Sequence, residues 1–353
     1  MVEWSNASKY NSFNSWKGLT YYEHYKKIVG WLDNKNDLPP PIEASLDPIN
    51  ACNQRCYYCN SQRYLKEHPA GLKRWGGDYI EDILIYLATW GVKAFCWGGG
   101  GEALLNIRLP GMTKFGTDLG MECSIITNGS ALSDILIDEL LLCRWIGISL
   151  DSADPEVYQK VRGEDDCRKV LGNIKKLAAK RTKTDIAVKV LVLPETIDTI
   201  VYTCKVARDL GVQDFHVRPV DLQRKDNQLA RKLNLDMPKI KGIFDECHNL
   251  ETADFHVYTV THKYDEEFHV KHDFKKCLAS PLVMQLCTDK KMYVCVDHRL
   301  EPRFEIKDWG SDEHRHLLQT IDPETECARC TWSEYNRQIE ETVINDRMCR
   351  NFP

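Results

Sequence analysis

Three cysteines stand close together in the stretch INACNQRCYYCN: Cys52, Cys56 and Cys59, with three residues in the first gap and two in the second. A structural zinc site asks for four ligands, and a redox dithiol for two. A cubane [4Fe–4S] cluster has four irons that each accept one outside ligand, so three thiolates in a short loop leave one iron open to a small molecule. That is the chemistry this spacing suits. A second set, Cys277, Cys295, Cys327 and Cys330, ends in a C-x2-C pair. Four thiolates suit tetrahedral zinc or a fully ligated cubane cluster, and spacing alone leaves both open.

Composition fits thiols that hold metal. The 353-residue chain carries 15 cysteines, which in a reducing compartment point to metal or catalytic thiols before disulfides. The start, MVEWSNASKYNSFNSW, has neither a basic n-region nor an apolar h-region, so no export signal is visible. No apolar run reaches the ~18 residues of a membrane span. The expectation is a cytoplasmic protein with no membrane partner. With 43% hydrophobic and 28% charged residues, the chain can bury a full core. Its formal net charge of −5 argues against a non-specific nucleic-acid binder.

The elements that must position these residues alternate along the chain. Strand patterns in PIEASLDPIN, KAFCWGGGGE, MECSIITNG, WIGISLD, DIAVKVLVLP and DFHVRPV are interleaved with helical patterns such as DYIEDILIYLATWGV, LSDILIDELLLC and TIDTIVYTCKVARDLG. Six such units predict an α/β fold, a partial (β/α)6 TIM-like barrel too short for the eight-fold form. Residues 1–41 are an N-terminal extension ending in DLPPP, 42–263 the barrel, and 264–353 a small second domain. In that domain VMQLCTDKKMYVCVD predicts a hairpin turning at Asp289-Lys290, and SEYNRQIEETVINDRM a closing helix. The basic run from Arg168 to Lys183 reads as a solvated helix face. Lys189 and Arg218 interrupt apolar fifth and sixth strands, where a charge must be paired, face a cavity or reach water at the rim. In a partial barrel the cavity holds the substrate, so both are candidates to bind its oxygens or a carboxylate. A structural ion pair is the other reading.

The C-x3-C-x2-C loop behind a first strand resembles the signature of the radical SAM superfamily. In that family S-adenosylmethionine chelates the open iron, and an electron from the cluster splits its sulfonium to a 5′-deoxyadenosyl radical that takes hydrogen from the substrate. The resemblance implies Tyr58 against the adenine. It identifies Gly100, Gly101 and Glu102 of WGGGGEALL as the GGE motif beside the methionine ammonium, where close backbone approach favours glycine. It also implies that Thr127 of IITNG faces the pocket and that Ser149 and Asp151 of ISLDS contact the cofactor. Turn formation at Thr127 and helix-entry capping at Ser149 and Asp151 are the local alternatives.

The hairpin followed by a C-x2-C pair resembles the Twitch domain, a shortened SPASM domain, and is similar to aminocyclitol dehydrogenases of the 2-deoxy-scyllo-inosamine dehydrogenase type. The resemblance implies an auxiliary [4Fe–4S] cluster at Cys277, Cys295, Cys327 and Cys330. It departs at Lys290, where the family usually has glycine.

Of the other cysteines, Cys96, Cys123, Cys143, Cys167, Cys204 and Cys247 read as small buried hydrophobes. Cys287 and Cys349 lie in the cluster-bearing segment and are candidate hydrogen-atom donors. Such a donor makes an epimerase; without one, an auxiliary cluster that takes the second electron makes a dehydrogenase. Only 41 residues precede the first strand, too few for the leader-recognition domain of peptide-modifying relatives. The expected substrate is therefore a small polar molecule (a sugar, aminocyclitol or nucleotide-like compound), with a reductant such as flavodoxin or ferredoxin as partner. Modification of a ribosomally made peptide is the alternative, and a non-enzymatic iron–sulfur or zinc protein is the reading from another class.

Overall fold

A computed structural model of the chain describes residues 15–61, 65, 73–220, 235–266, 268, 270–327 and 329–345. Helix α1 (Tyr22–Leu32) precedes strand β1 (Glu43–Leu46). There follow α2 (Gly77–Trp90), β2 (Ala94–Trp97), α3 (Leu109–Asp118), β3 (Glu122–Thr127), α4 (Asp134–Leu140) and β4 (Trp145–Ser149). Next come α5 (Pro155–Arg162), α6 (Cys167–Lys180), β5 (Asp185–Val192), α7 (Ile200–Asp209), β6 (Asp214–Pro219), α8 (Met237–His248) and β7 (His256–Thr259). Strands β1 to β7 pair in sequence order, all parallel. This is the mixed α/β, partial TIM-like architecture, with a seventh parallel strand beyond the six expected. Among the described residues, no helix is long and apolar enough to cross a membrane.

Local sequence explains where the helices sit. Ile80, Leu84 and Leu87 bury one face of α2, at the spacing that stacks side chains on one stripe. Gly91 ends it at φ +103, a left-handed stop that glycine adopts without a Cβ clash. Asp154 caps α5 by accepting from the amides of Glu156 and Val157, with Pro155 in the first turn. In α6, Cys167, Val170, Ile174 and Leu177 point inward, while Arg168, Lys169, Lys175 and Lys176 are exposed. Lys176 and Lys180 pair with Asp134 and Asp138 of α4.

The C-terminal segment joins the barrel's own sheet. Strand β8 (Val283–Leu286) lies parallel to β1, with Glu43 opposite Val283 and Leu46 opposite Leu286. Strands β9 (Met292–Tyr293) and β10 (Glu305–Ile306) extend it antiparallel. The β8–β9 hairpin turns at the expected place: Lys290 N–H donates to the Cys287 carbonyl at 2.9 Å. Lys290 takes the left-handed conformation, φ +67, that a glycine would adopt most readily, and its ammonium sits 4.2 Å from the centre of the Tyr79 ring. Tyr25, Ile28 and Trp31 of α1 pack with Leu278, Phe304, Tyr335 and Ile339 in a second apolar core.

Candidate active site

Alternation along parallel strands aims one side chain in two at the barrel interior. Ser149 of β4 lies level with Lys189 of β5, and Leu191 of β5 level with Arg218 of β6. All four line a cavity of about 640 Å³. Cys52, Cys56, Cys59, Tyr58, Gly101, Glu102, Thr127 and Asp151 line the same space.

The cysteine loop is held from three sides. Gly101 packs so tightly on the loop that a Cβ there would collide with the carbonyl of Ala51 and stand 2.8 Å from that of Ile49. The next amide, Glu102 N–H, donates to Ala51 O at 2.8 Å. Asn53 donates to Ser130 Oγ at 2.7 Å and accepts from Asn128 Nδ2 at 2.8 Å, which ties the loop to the turn after β3. The third tie is buried and charged. Arg162, at the end of α5, places Nε 2.8 Å from Asp151 Oδ2, and its Nη1 reaches Gln54 Oε1 at 3.2 Å and Cys56 Sγ at 3.7 Å. The Tyr58 hydroxyl donates to the same Asp151 carboxylate, and Asp151 Oδ1 accepts from Leu191 N–H at 3.0 Å. Asp151 holds this place from φ +64.

Glu102 and Thr127 work as positioning groups. The buried Glu102 carboxylate accepts from Thr127 Oγ1 at 2.6 Å, from Asn128 N–H at 2.7 Å and from Leu104 N–H at 3.2 Å. It binds the end of β2 to the end of β3, and Thr127, which lines the cavity, also accepts from Gly129 N–H at 3.0 Å in the turn.

The far wall is cationic. Lys189 and Arg218 have no carboxylate within 4 Å among the described residues, and the Lys189 ammonium lies 5.9 Å from the Trp145 ring centre. Burial and the Arg218 guanidinium pull the Lys189 ammonium down to about 7. Arg329, from the C-terminal segment, also lines the cavity and pairs with Asp297 at 2.7 Å.

Cys277, Cys295, Cys327 and Cys330 surround one small space, shared with Val294, Phe304 and Ile321. His298 Nε2 is 3.5 Å from Cys327 Sγ, and Asn336 donates to Cys330 Sγ at 3.6 Å. Cys287 is not brought to the cavity. It is 1% exposed, and the turn after β8 directs its thiol toward Gln285 Nε2 at 3.6 Å. Cys349 lies outside the described residues, and Gly100 adjoins the Asp47 carboxylate.

Arg162, Asn53 and the buried pair Asp47–Arg299, at 2.8 Å, escaped the sequence reading. Asp47 alone left a signal, a carboxylate at the end of a buried strand. Arg162 and Arg299 have no neighbour in sequence that marks them as buried.

The donor set fits a cluster. In a cubane each thiolate meets a different iron, so three sulfurs spread along one cavity wall suit it. Among the described residues no three His, Cys, Asp or Glu side chains converge on a single-ion site. Residues 46–207 match the Radical SAM superfamily. This stretch is similar to radical SAM domains. The match begins at the end of β1, takes in the cysteine loop and runs into α7. An S-adenosylmethionine-dependent nucleotide dehydratase of Lacinutrix mariniflava is 27% identical over 45% of this chain and 34% of its own length. A dTDP-4-amino-4,6-dideoxy-D-glucose ammonia-lyase of Streptomyces venezuelae is 21% identical over 62% of this chain and 48% of its own length. The chain thus spans less than half of either relative. Streptococcus suis SuiB, solved with S-adenosylmethionine, superposes with a TM-score of 0.63 at 14% identity, over 90% of this chain and 76% of that one. That likeness concerns the fold.

Proposed function

We propose that the chain reductively cleaves S-adenosylmethionine at a [4Fe–4S] cluster held by Cys52, Cys56 and Cys59, and removes hydrogen from a small polar substrate, with oxidation or epimerisation at carbon. The observation that carries this reading is one cavity with the three cysteines on one wall and Lys189 and Arg218 on another. When bound, the cluster and S-adenosylmethionine supply the carbon radical. The chain's own part is to hold and orient. Tyr58 and Ser149 border the cofactor's side of the cavity, Asp151 and Arg162 fix the loop, and Lys189 and Arg218 meet the substrate.

In the same proposal Cys277, Cys295, Cys327 and Cys330 hold an auxiliary [4Fe–4S] cluster that accepts the second electron of an oxidation. Four thiols around one apolar space support it, as does a fold likeness that reaches past the barrel into the C-terminal segment. A flavodoxin or ferredoxin is the reductant this chemistry asks for. The test is anaerobic incubation of the iron-reconstituted chain with S-adenosylmethionine and dithionite. The expected product is 5′-deoxyadenosine, lost in the Cys52/Cys56/Cys59→Ala variant. No 5′-deoxyadenosine from a fully loaded chain would instead mark a non-enzymatic metal protein.

A further inference from the structure

Among the described residues five cations border the cavity: Arg162, Lys189, Arg218, Arg299 and Arg329. Three are answered by carboxylates, at Asp151, Asp47 and Asp297. Lys189 and Arg218 are not, among the described residues. The cavity's own acids do not fill the gap. Asp151 is engaged by Arg162 and Tyr58, Glu102 by three donors at the β3 turn, and Glu43, at the start of β1, lines the cavity without an ion pair to Lys189 or Arg218 among the described residues. Behind this wall Lys263 adds a further positive charge, donating to the Thr331 carbonyl at 2.8 Å.

Two neighbouring cations set into otherwise buried strands cost free energy unless an anion answers them. A carboxylate would neutralise one of the two. A phosphoryl group of charge near −2 neutralises both, and an arginine fork beside a lysine point charge is the pairing that recognises it. Resting on the function proposed above, we propose that the substrate carries a phosphoryl group, seated between Lys189, Arg218 and Arg329 where β5 and β6 face the C-terminal segment. The barrel and the C-terminal segment then read the substrate together, since Arg329 follows Cys327 by two residues and Thr331 follows Cys330 directly.

The test is calorimetric titration of the anaerobically reconstituted full chain, saturated with S-adenosylmethionine. The probes are inorganic phosphate, glucose 6-phosphate, glucose and acetate. The expected result is binding of the phosphate ester and of phosphate, none of glucose or acetate, and at least tenfold weaker binding in Arg218→Gln and in Lys189→Met. Iron content and melting temperature of each variant report its folding. Equal binding in the variants, or phosphate binding found in a parallel titration without S-adenosylmethionine and lost once it is saturating, overturns the assignment; the latter would place these cations in the cofactor's site. Binding of phosphate with exclusion of the ester overturns the substrate part. Formation of 5′-deoxyadenosine by the wild type is measured separately. Its failure with ester binding intact counts against the radical reading alone, and the reverse pattern counts against the phosphoryl group alone.

Discussion

Arg162 and Asp151 meet at 2.8 Å with side chains 5% and 2% exposed, and this pair joins the cysteine loop to the ends of β4 and α5. Removing one partner strands the other charge in the interior, which costs about 3–5 kcal/mol. Arg162→Met is therefore expected to lower the melting temperature by many degrees and to reduce the iron retained by the loop. Iron content after desalting, compared with a distant destabilising control such as Leu84→Ala, separates loss of the loop from general loss of stability. Equal iron in both would remove the clamp role.

Glycine is required at Gly101 and dispensable at Gly172. Gly101→Ala pushes a methyl into the carbonyls of Ala51 and Ile49, backbone atoms that cannot turn aside, so both stability and cluster loading should drop. Gly172, exposed within α6, has nothing within 4 Å of an added Cβ. Its replacement by alanine is expected to stabilise the fold by about 0.5–1 kcal/mol, read as a raised urea midpoint with unchanged iron.

Lys189 gives the stability of the ligand-free chain a pH slope. Arg218 and His216 of β6, Arg162 of α5, Arg329 and the Cys96 thiol of β2 face its ammonium; burial first, then Arg218, Arg329 and Arg162, lower it against the opposing Cys96 to about 7, against about 10.4 in an unfolded chain. Between these values the unfolded state holds a proton that the folded state lacks, so this residue's contribution to stability rises with pH from 7 toward 10. Below 7 both states are protonated and the contribution is flat. Urea midpoints at pH 7 and pH 9 should differ more in wild type than in Lys189→Met, and parallel shifts in the two would count against the depressed ammonium.

Iron counting divides the two cysteine sets. Wild type should hold about eight irons per chain, and Cys52/Cys56/Cys59→Ala about four. Cys327→Ala with Cys330→Ala should lose the complementary four. One zinc retained in the first variant, with no iron, would make the C-terminal site structural and leave the chain with a single cluster.

Much of this was legible because its physics is local. Cysteine spacing, the glycine run and the six apolar strands all declare themselves within a few residues. The missed elements lack such signals. Helix α3 carries Pro110, Gly111 and Gly116, which break the helical pattern, yet Gly116 is needed because a Cβ would stand 2.6 Å from the Phe95 ring. Strand β7 is four residues with a histidine and a threonine, too short and polar to stand out. Arg162 and Arg299 matter through partners far along the chain, Gln54 and Cys56 at 108 and 106 positions and Asp47 at 252, a distance no window along the chain can see. The Lys189 and Arg218 anomalies were visible as charges in apolar strands; the absence of answering carboxylates needed three dimensions.

The parallel pairing of β8 with β1 sets an order on assembly. On a ribosome the first strand emerges early, but its neighbour on one side emerges only after the whole barrel has left the exit tunnel. Until then β1 is an open edge, the kind of surface on which strands of other chains add. The nascent chain thus carries its cysteine loop beside an unsealed flank for most of its synthesis, and sealing that flank is the same event that brings Arg299 to Asp47.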